Sequence, residues 1–209
     1  MQRPQLIYFY DALCGWCYGF SSVAKRLAAQ FEAQTDFIVM SGGMVTGARV
    51  APIAKMAAYI EQAYPKVEQT TGVKFGEDFL RKILRAGSYI SNSLPPALAL
   101  TVFKSNDPQN QVSFAHALQR AFYYDGDDLN SEETYQKLAK QFGMNADRFI
   151  SQMHDEKTLR ATLEEFNFVQ SMGVNGFPSL ALLTDQGGAL LAVGYRDFNS
   201  LQQAIQSKL

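Results

Sequence analysis

The chain has 209 residues and two cysteines, which stand three apart in Cys14-Gly15-Trp16-Cys17. Two thiols at this spacing can close into a disulfide and reopen, passing two electrons to or from another disulfide. The flanking residues say where the pair sits. Leu6-Ile7-Tyr8-Phe9-Tyr10 reads as a short buried strand. From Tyr18 to Phe31, apolar Val23, Leu27, Ala28 and Phe31 recur at helical steps between charged and polar residues. Cys14 therefore falls in the first turn of a helix. Backbone N–H groups there lack helical partners and the helix dipole is positive, which favours a thiolate. Cys17 lies on the same face one turn further in. It is expected to be more buried, to stay protonated, and to resolve the mixed disulfide that Cys14 forms. Gly15 and Trp16 carry no charge and shape the helix start and the surface around Cys14 as part of the substrate-binding site.

Other uses of the cysteines fit less well. Structural zinc needs two more ligands in a paired pattern. His116 and His154 are the two histidines, and they fall far apart on separate predicted helices, so no metal is expected. A merely buried pair is the bland alternative, since free cysteine is often interior. Two cysteines cannot build a framework of several disulfides. Asp125-Gly126-Asp127-Asp128 lacks the glycine and glutamate of a calcium loop and reads as a solvated turn. Asp11, three residues before Cys14, either acts on the thiols or serves as a turn and cap residue; the second reading is favoured because Asp is a preferred cap. Gly42-Gly43 reads as a strand-end turn without a phosphate loop behind it. Tyr64, Tyr89, Tyr123 and Tyr124 fit a cleft lining or a helical core.

The elements that hold the pair emerge from the hydrophobic pattern. Composition is 47% hydrophobic with a net charge of −1. That supports a sizeable core and argues against disorder and against a field built for nucleic acid. No apolar run has the length of a membrane span, and the N-terminal apolar stretch is too short for a signal peptide. The expectation is a complete cytoplasmic protein. Phe37-Ile38-Val39-Met40 reads as a second strand, so the start of the chain is β-α-β with the cysteines at the first strand-to-helix junction. Seven helices and no strand are expected through the middle: one opened by Pro52, one around Phe79–Leu84, one opened by Pro95-Pro96, one through Val112–Phe122, one capped by Asn130 with Glu133 and stopped by Gly143, one capped by Asn145, and one over 157–172 ended by Gly173. At the C-terminal end, Pro178–Leu183 and Ala189–Val193 read as a hairpin around an Asp185-Gln186-Gly187-Gly188 turn, followed by a helix with Phe198, Leu201, Ala204 and Ile205 on one face.

Two segments, Asp11-Ala12-Leu13-Cys14-Gly15-Trp16-Cys17-Tyr18-Gly19-Phe20 and Gly173-Val174-Asn175-Gly176-Phe177-Pro178-Ser179-Leu180, carry a family resemblance. The chain resembles the DsbA-like oxidoreductases of the thioredoxin fold, in particular the FrnE-like and 2-hydroxychromene-2-carboxylate-isomerase-like group. The resemblance spans essentially the whole chain. It implies an α/β thioredoxin fold, β-α-β … β-β-α, with residues 1–45 and 172–209 forming the thioredoxin-like domain and 46–171 an inserted all-helical domain. It also implies a cis bond between Phe177 and Pro178, with both residues shaping the substrate groove beside Cys14. The implied activity is disulfide exchange or isomerisation on protein or small-molecule thiols and disulfides. No nucleic acid, membrane or resident cofactor is expected, glutathione is a possible partner, and a monomer is the default. The family's usual Pro is replaced by Ala12, which loosens a turn without removing a reactive group. Isomerase members resemble the chain in architecture but typically carry Ser at the position of Cys14 and use glutathione, so a glutathione-dependent isomerase is the alternative; a non-catalytic scaffold or redox-sensing binding module is a third reading.

Overall fold

The structure, a computed structural model, describes residues 3–209. Its central sheet is built on β1 (Gln5–Tyr10), whose run of aromatic and branched side chains is almost wholly buried. Helix α1 (Gly15–Phe31) leads to β2 (Asp36–Ser41), which lies parallel to β1 with Tyr10 opposite Ser41. A helical crossover is the usual way to join parallel neighbours.

The next segment holds a feature that the hydrophobic pattern did not announce. Two-residue strands β3 (Ala51–Pro52) and β4 (Ile90–Ser91) pair as an antiparallel ribbon. The expected helix start at Pro52 is thus a strand residue. Proline suits that extended position, and the following Ile53 N–H donates to Tyr89 O at 2.7 Å, which holds the ribbon in place. A short 3₁₀ turn, Ile53–Met56, then leads into α2 (Ala57–Thr71), ended by Gly72 in the left-handed conformation at φ +79°. The expected helix around Phe79 is a π-helical stretch, Phe79–Arg85.

The remaining helices are α3 (Leu94–Asn106), α4 (Gln111–Tyr123), α5 (Glu132–Gln141), α6 (Ala146–Met153) and α7 (Glu156–Ser171). Pro95 and Pro96 lie in the first turn of α3, and Asn145 caps α6 by accepting from Arg148 N–H at 2.9 Å. The cap of α5 is Ser131 rather than Asn130: the Ser131 hydroxyl accepts from Glu133 N–H, while the Asn130 amide is drawn away to donate to Ile90 O. Stacked Phe103 and Phe114, 4.1 Å apart, with Phe142 and Phe149 around them, pack α3, α4 and α6 together. Each such buried ring contributes about 1.5–3 kcal/mol of transfer free energy.

The chain returns to the sheet with β5 (Ser179–Thr184) and β6 (Gly187–Val193) and closes with α8 (Phe198–Gln206). Gly187 and Gly188 belong to β6 rather than to the turn, which is reduced to Asp185-Gln186, because Thr184 pairs with Gly187. The sheet order is β2-β1-β5-β6, with β5 antiparallel to β1. This is a thioredoxin fold with a helical insertion. Its register matters for the chemistry: Phe9 lies opposite Ser179, so the turn after β1 sits beside the residue that precedes β5.

Candidate active site

Chain geometry at the end of β1 puts the two thiols where they can react. Asp11 O accepts from Cys14 N–H at 3.1 Å, closing the turn that starts α1. Cys14 is the N-cap residue of α1, with extended backbone at φ −93° and ψ 110°. Its sulfur does what a capping oxygen does elsewhere: it accepts from the Cys17 N–H, at 3.3 Å. Both cysteines are free thiols. Cys14 keeps 7% of its surface exposed and Cys17 none. Burial pushes the Cys17 thiol well above the ordinary cysteine range, and the adjacent Cys14 sulfur adds to the effect. The inner thiol is thereby held as S–H.

Opposite the pair lies the loop before β5, in which the Phe177–Pro178 bond is cis. The Phe177 carbonyl accepts from the Cys14 thiol at 3.5 Å. Pro178 O accepts from Gly194 N–H at 2.7 Å, which ties the loop to the end of β6, and the Ser179 hydroxyl donates to Gly176 O at 2.7 Å. The tip of the Phe177 ring lies against Gly42. A Cβ built there would come within 1.9 Å of its Cζ, so any side chain at this position would push the ring aside. Gly43, at φ +61°, seats Phe166 of α7 in the same way. Of the Gly42-Gly43 pair, read from sequence as a strand-end turn, Gly42 is thus the floor of the proline loop and Gly43 a seat for α7. Its signal was present only as two small residues after a strand.

Asp11 is buried and is not a helix cap. Its carboxylate accepts from Leu13 N–H at 2.9 Å, Met44 N–H at 2.7 Å and the Ser93 hydroxyl at 3.0 Å. Ser93 sits immediately before α3, and its N–H donates to Val45 O at 2.8 Å. One carboxylate therefore joins the cysteine turn, the loop after β2 and the insertion. Burial raises its pKa, although the hydrogen bonds from Leu13, Met44 and Ser93 pull in the opposite direction.

The insertion builds the other wall. Gly19 on α1 lets α2 approach so closely that a Cβ would lie 2.8 Å from Thr71 Cγ2. Tyr18 stacks on Tyr123 with centroids 5.2 Å apart, and its hydroxyl donates to Lys74 O at 2.9 Å. Phe75 packs edge-on against both rings. Between this wall and the cysteine turn lies a cavity of about 610 Å³ that reaches Cys14, Gly15, Trp16 and Phe177. Trp16 also faces Tyr195, centroids 6.3 Å apart. Of the four tyrosines that fitted either a cleft lining or a helical core, Tyr64 and Tyr123 line this cavity, whereas Tyr89 is buried and Tyr124 is on the surface. His154 pairs with Glu132 at 2.7 Å on the outside of the insertion, and His116 is held neutral within α4, its pKa lowered to about 4 by burial and by Lys25 and Arg120. Among the described residues no cluster of three or more His, Cys, Asp or Glu side chains is placed to hold a metal ion, and no helix is long and apolar enough to cross a membrane.

Comparison with known proteins agrees with this geometry. The chain is similar to a crystal structure of a candidate protein disulfide isomerase from Nitrosomonas europaea, with 27% identity, 99% of this chain and 97% of that one covered, and a TM-score of 0.88. It is similar to the cytosolic disulfide reductase DsbM of Pseudomonas aeruginosa, with 26% identity, 98% of each chain covered and a TM-score of 0.81; that protein has also been solved with glutathione. Among curated proteins it matches the ClpXP adapter protein SpxH of Halalkalibacterium halodurans at 20% identity over 189 residues, covering 88% of this chain and 60% of that relative's length. A model of the DSBA-like thioredoxin domain matches residues 5–206, so nearly the whole chain, insertion included, is accounted for by one family: the chain belongs to the DSBA-like thioredoxin domain family.

Proposed function

We propose that this protein is a cytoplasmic thiol–disulfide oxidoreductase in which Cys14 attacks and Cys17 resolves. The observation that carries the reading is the unequal burial of two thiols joined by one hydrogen bond: Cys14 at the helix cap, partly reachable, and Cys17 fully enclosed one turn behind it. The Cys14 thiolate attacks one sulfur of a substrate disulfide, and the other sulfur leaves as a thiolate. The mixed disulfide then sits between the Cys17 thiol and the Phe177 carbonyl. Cys17 gives up its proton, attacks the Cys14 sulfur and releases the second substrate thiolate, which takes up the proton. The protein has lost two electrons as a Cys14–Cys17 disulfide, and the substrate has gained them. Running backwards, the same steps donate a disulfide.

Gly15, Trp16, Phe177 and Pro178 form the surface that receives the substrate, and the helical segment 46–171 covers the site and selects what enters. Likeness to a cytosolic reductase supports the cytoplasmic location and thiol or disulfide partners, and that relative's glutathione-bound form supports glutathione as a reductant. The presence of both thiols favours exchange over a glutathione-dependent isomerisation.

The testing experiment traps the intermediate. Reduced Cys17→Ala protein is mixed with a disulfide substrate and quenched, and its mass is read. A covalent adduct on Cys14 that persists in the variant and clears in the wild type is the expected result. An adduct that clears equally fast without Cys17, or that never forms, contradicts the assignment of roles.

A further inference from the structure

The cavity beside Cys14 has a chemical character of its own. Its walls are largely apolar and aromatic, Ile60, Tyr64 and Phe75 among them. No aspartate or glutamate lines it, whereas Arg49 and Lys55 do, both exposed at its edge. Neither cation is within ion-pair distance of a carboxylate among the described residues, although Asp11 feels the Arg49 charge from a distance. Arg49 is nonetheless held in position: its guanidinium donates to Gly43 O at 3.2 Å and to the Thr46 hydroxyl at 3.5 Å. A volume of about 610 Å³ falls within the roughly 300–1,000 Å³ range of small-molecule pockets.

We propose that this cavity selects low-molecular-weight disulfides with an aromatic or branched apolar body and a carboxylate, the body against Ile60, Tyr64 and Phe75 and the carboxylate toward Arg49 and Lys55. The inference rests on Cys14 being the attacking sulfur. The enclosing walls and the small exposed area of Cys14 favour such a molecule over a folded protein surface. The chemistry is the exchange described above: Cys14 forms a bond to the proximal sulfur, the S–S bond of the substrate breaks, and the distal thiolate leaves. Cys17 then gives up its proton and attacks the Cys14 sulfur, the mixed disulfide breaks, and the proximal thiolate leaves and takes up the proton. Paired apolar and cationic surfaces reward an anionic substrate twice, by burial and by attraction, and only the second depends on salt.

The test uses two aromatic disulfides that differ in charge: dithiobis-nitrobenzoate, which carries carboxylates, and dithiodipyridine, which is neutral at working pH. The rate of the reduced protein with each is divided by the rate of 2-mercaptoethanol, a thiol without other charged groups, with the same reagent. The wild type is expected to prefer the carboxylate reagent by about tenfold, with the preference shrinking as salt rises. The Arg49→Gln, Lys55→Gln double variant should lose that preference. A Lys140→Gln, Lys157→Gln variant, with the same change in net charge on exposed helix surfaces away from the cavity, should keep it. Equal normalised rates in the wild type overturn the proposal, as does loss of the preference in the distant control. Faster turnover of a protein disulfide such as insulin than of either reagent would also overturn it. Failure of Cys14 to react with either reagent would instead overturn the oxidoreductase reading beneath it.

Discussion

The sulfur of Cys14 lies 3.5 Å from the carbonyl oxygen of Phe177, although 163 residues separate the two in sequence. The contact follows from register. β1 delivers the cysteine turn at its C-terminal end, and the pairing of Phe9 with Ser179 sets the loop before β5 alongside it. The proline loop is therefore positioned by the sheet, and its ring is seated by Gly42 at the end of β2.

That seat yields the first prediction. Gly42→Ala forces the Phe177 ring off its floor, because the new Cβ would meet it at 1.9 Å. Disulfide exchange should slow by about 10- to 100-fold, as expected for a displaced positioning group. The free-thiol count and helix content should stay at wild-type values. Stopped-flow rates with a neutral disulfide, beside circular dichroism, check this; an unchanged rate contradicts it.

Gly15 behaves differently. It is a helical residue with an ordinary φ, and a Cβ there meets only Phe75, at 3.5 Å. Gly15→Ala should stabilise the fold by about 0.5 kcal/mol by restricting the unfolded chain. A raised urea midpoint with unchanged slope is the expected outcome, and a lowered midpoint would show that the first turn needs glycine.

Much of this was legible in the sequence, and the part that was not has a physical reason. Cys14 and Cys17 stood out because two cysteines at the spacing of one helical turn are a local signal. The β-α-β start, the hairpin and most helices announced themselves through periodicity, which is also local. The Ala51–Pro52 ribbon did not, because two-residue strands have no period and exist only through pairing with Ile90–Ser91. The same holds for the cavity and for Asp11, whose partners Met44 and Ser93 lie 33 and 82 residues away. The reading of Asp11 as a turn and cap residue holds for the turn, through Leu13, and fails for the cap, which is Cys14.

Asp11→Ala therefore should be costly out of proportion to its distance from Cys14 in chemical role. Two backbone N–H groups and the Ser93 hydroxyl lose their acceptor. Destabilisation of about 3 kcal/mol is expected, and Asp11→Asn, which keeps one carbonyl oxygen, should lose less. Chemical denaturation of the three proteins at one pH decides this; equal stability of wild type and Asp11→Ala contradicts the joint.

His116 gives a pH prediction with a definite sign. Its folded pKa is lowered from 6.5 to about 4, by burial first and by Lys25 and Arg120 after it. Above pH 6.5 the neutral ring is compatible with its site. As pH falls toward 4 the unfolded chain binds a proton that the folded chain refuses, so stability drops, by less than the full shift would give because the half-buried ring is partly screened by solvent. Asp11 contributes in the opposite sense, since a raised carboxylate pKa favours the folded state most at low pH and loses that contribution as pH rises. The comparison of wild type with His116→Gln isolates the histidine. The stability difference between them should change across the window from pH 6.5 to about 4, and parallel curves would contradict the assignment.

The central claim is that Cys14 and Cys17 form one reversible redox unit. The most direct measurement equilibrates the protein in glutathione buffers of stepped ratio, quenches with acid and counts free thiols. Both thiols should appear and disappear together in a single two-electron transition, without a lasting glutathione adduct. Thiols that stay free under every ratio, or that are released only by a chelator, would contradict the account.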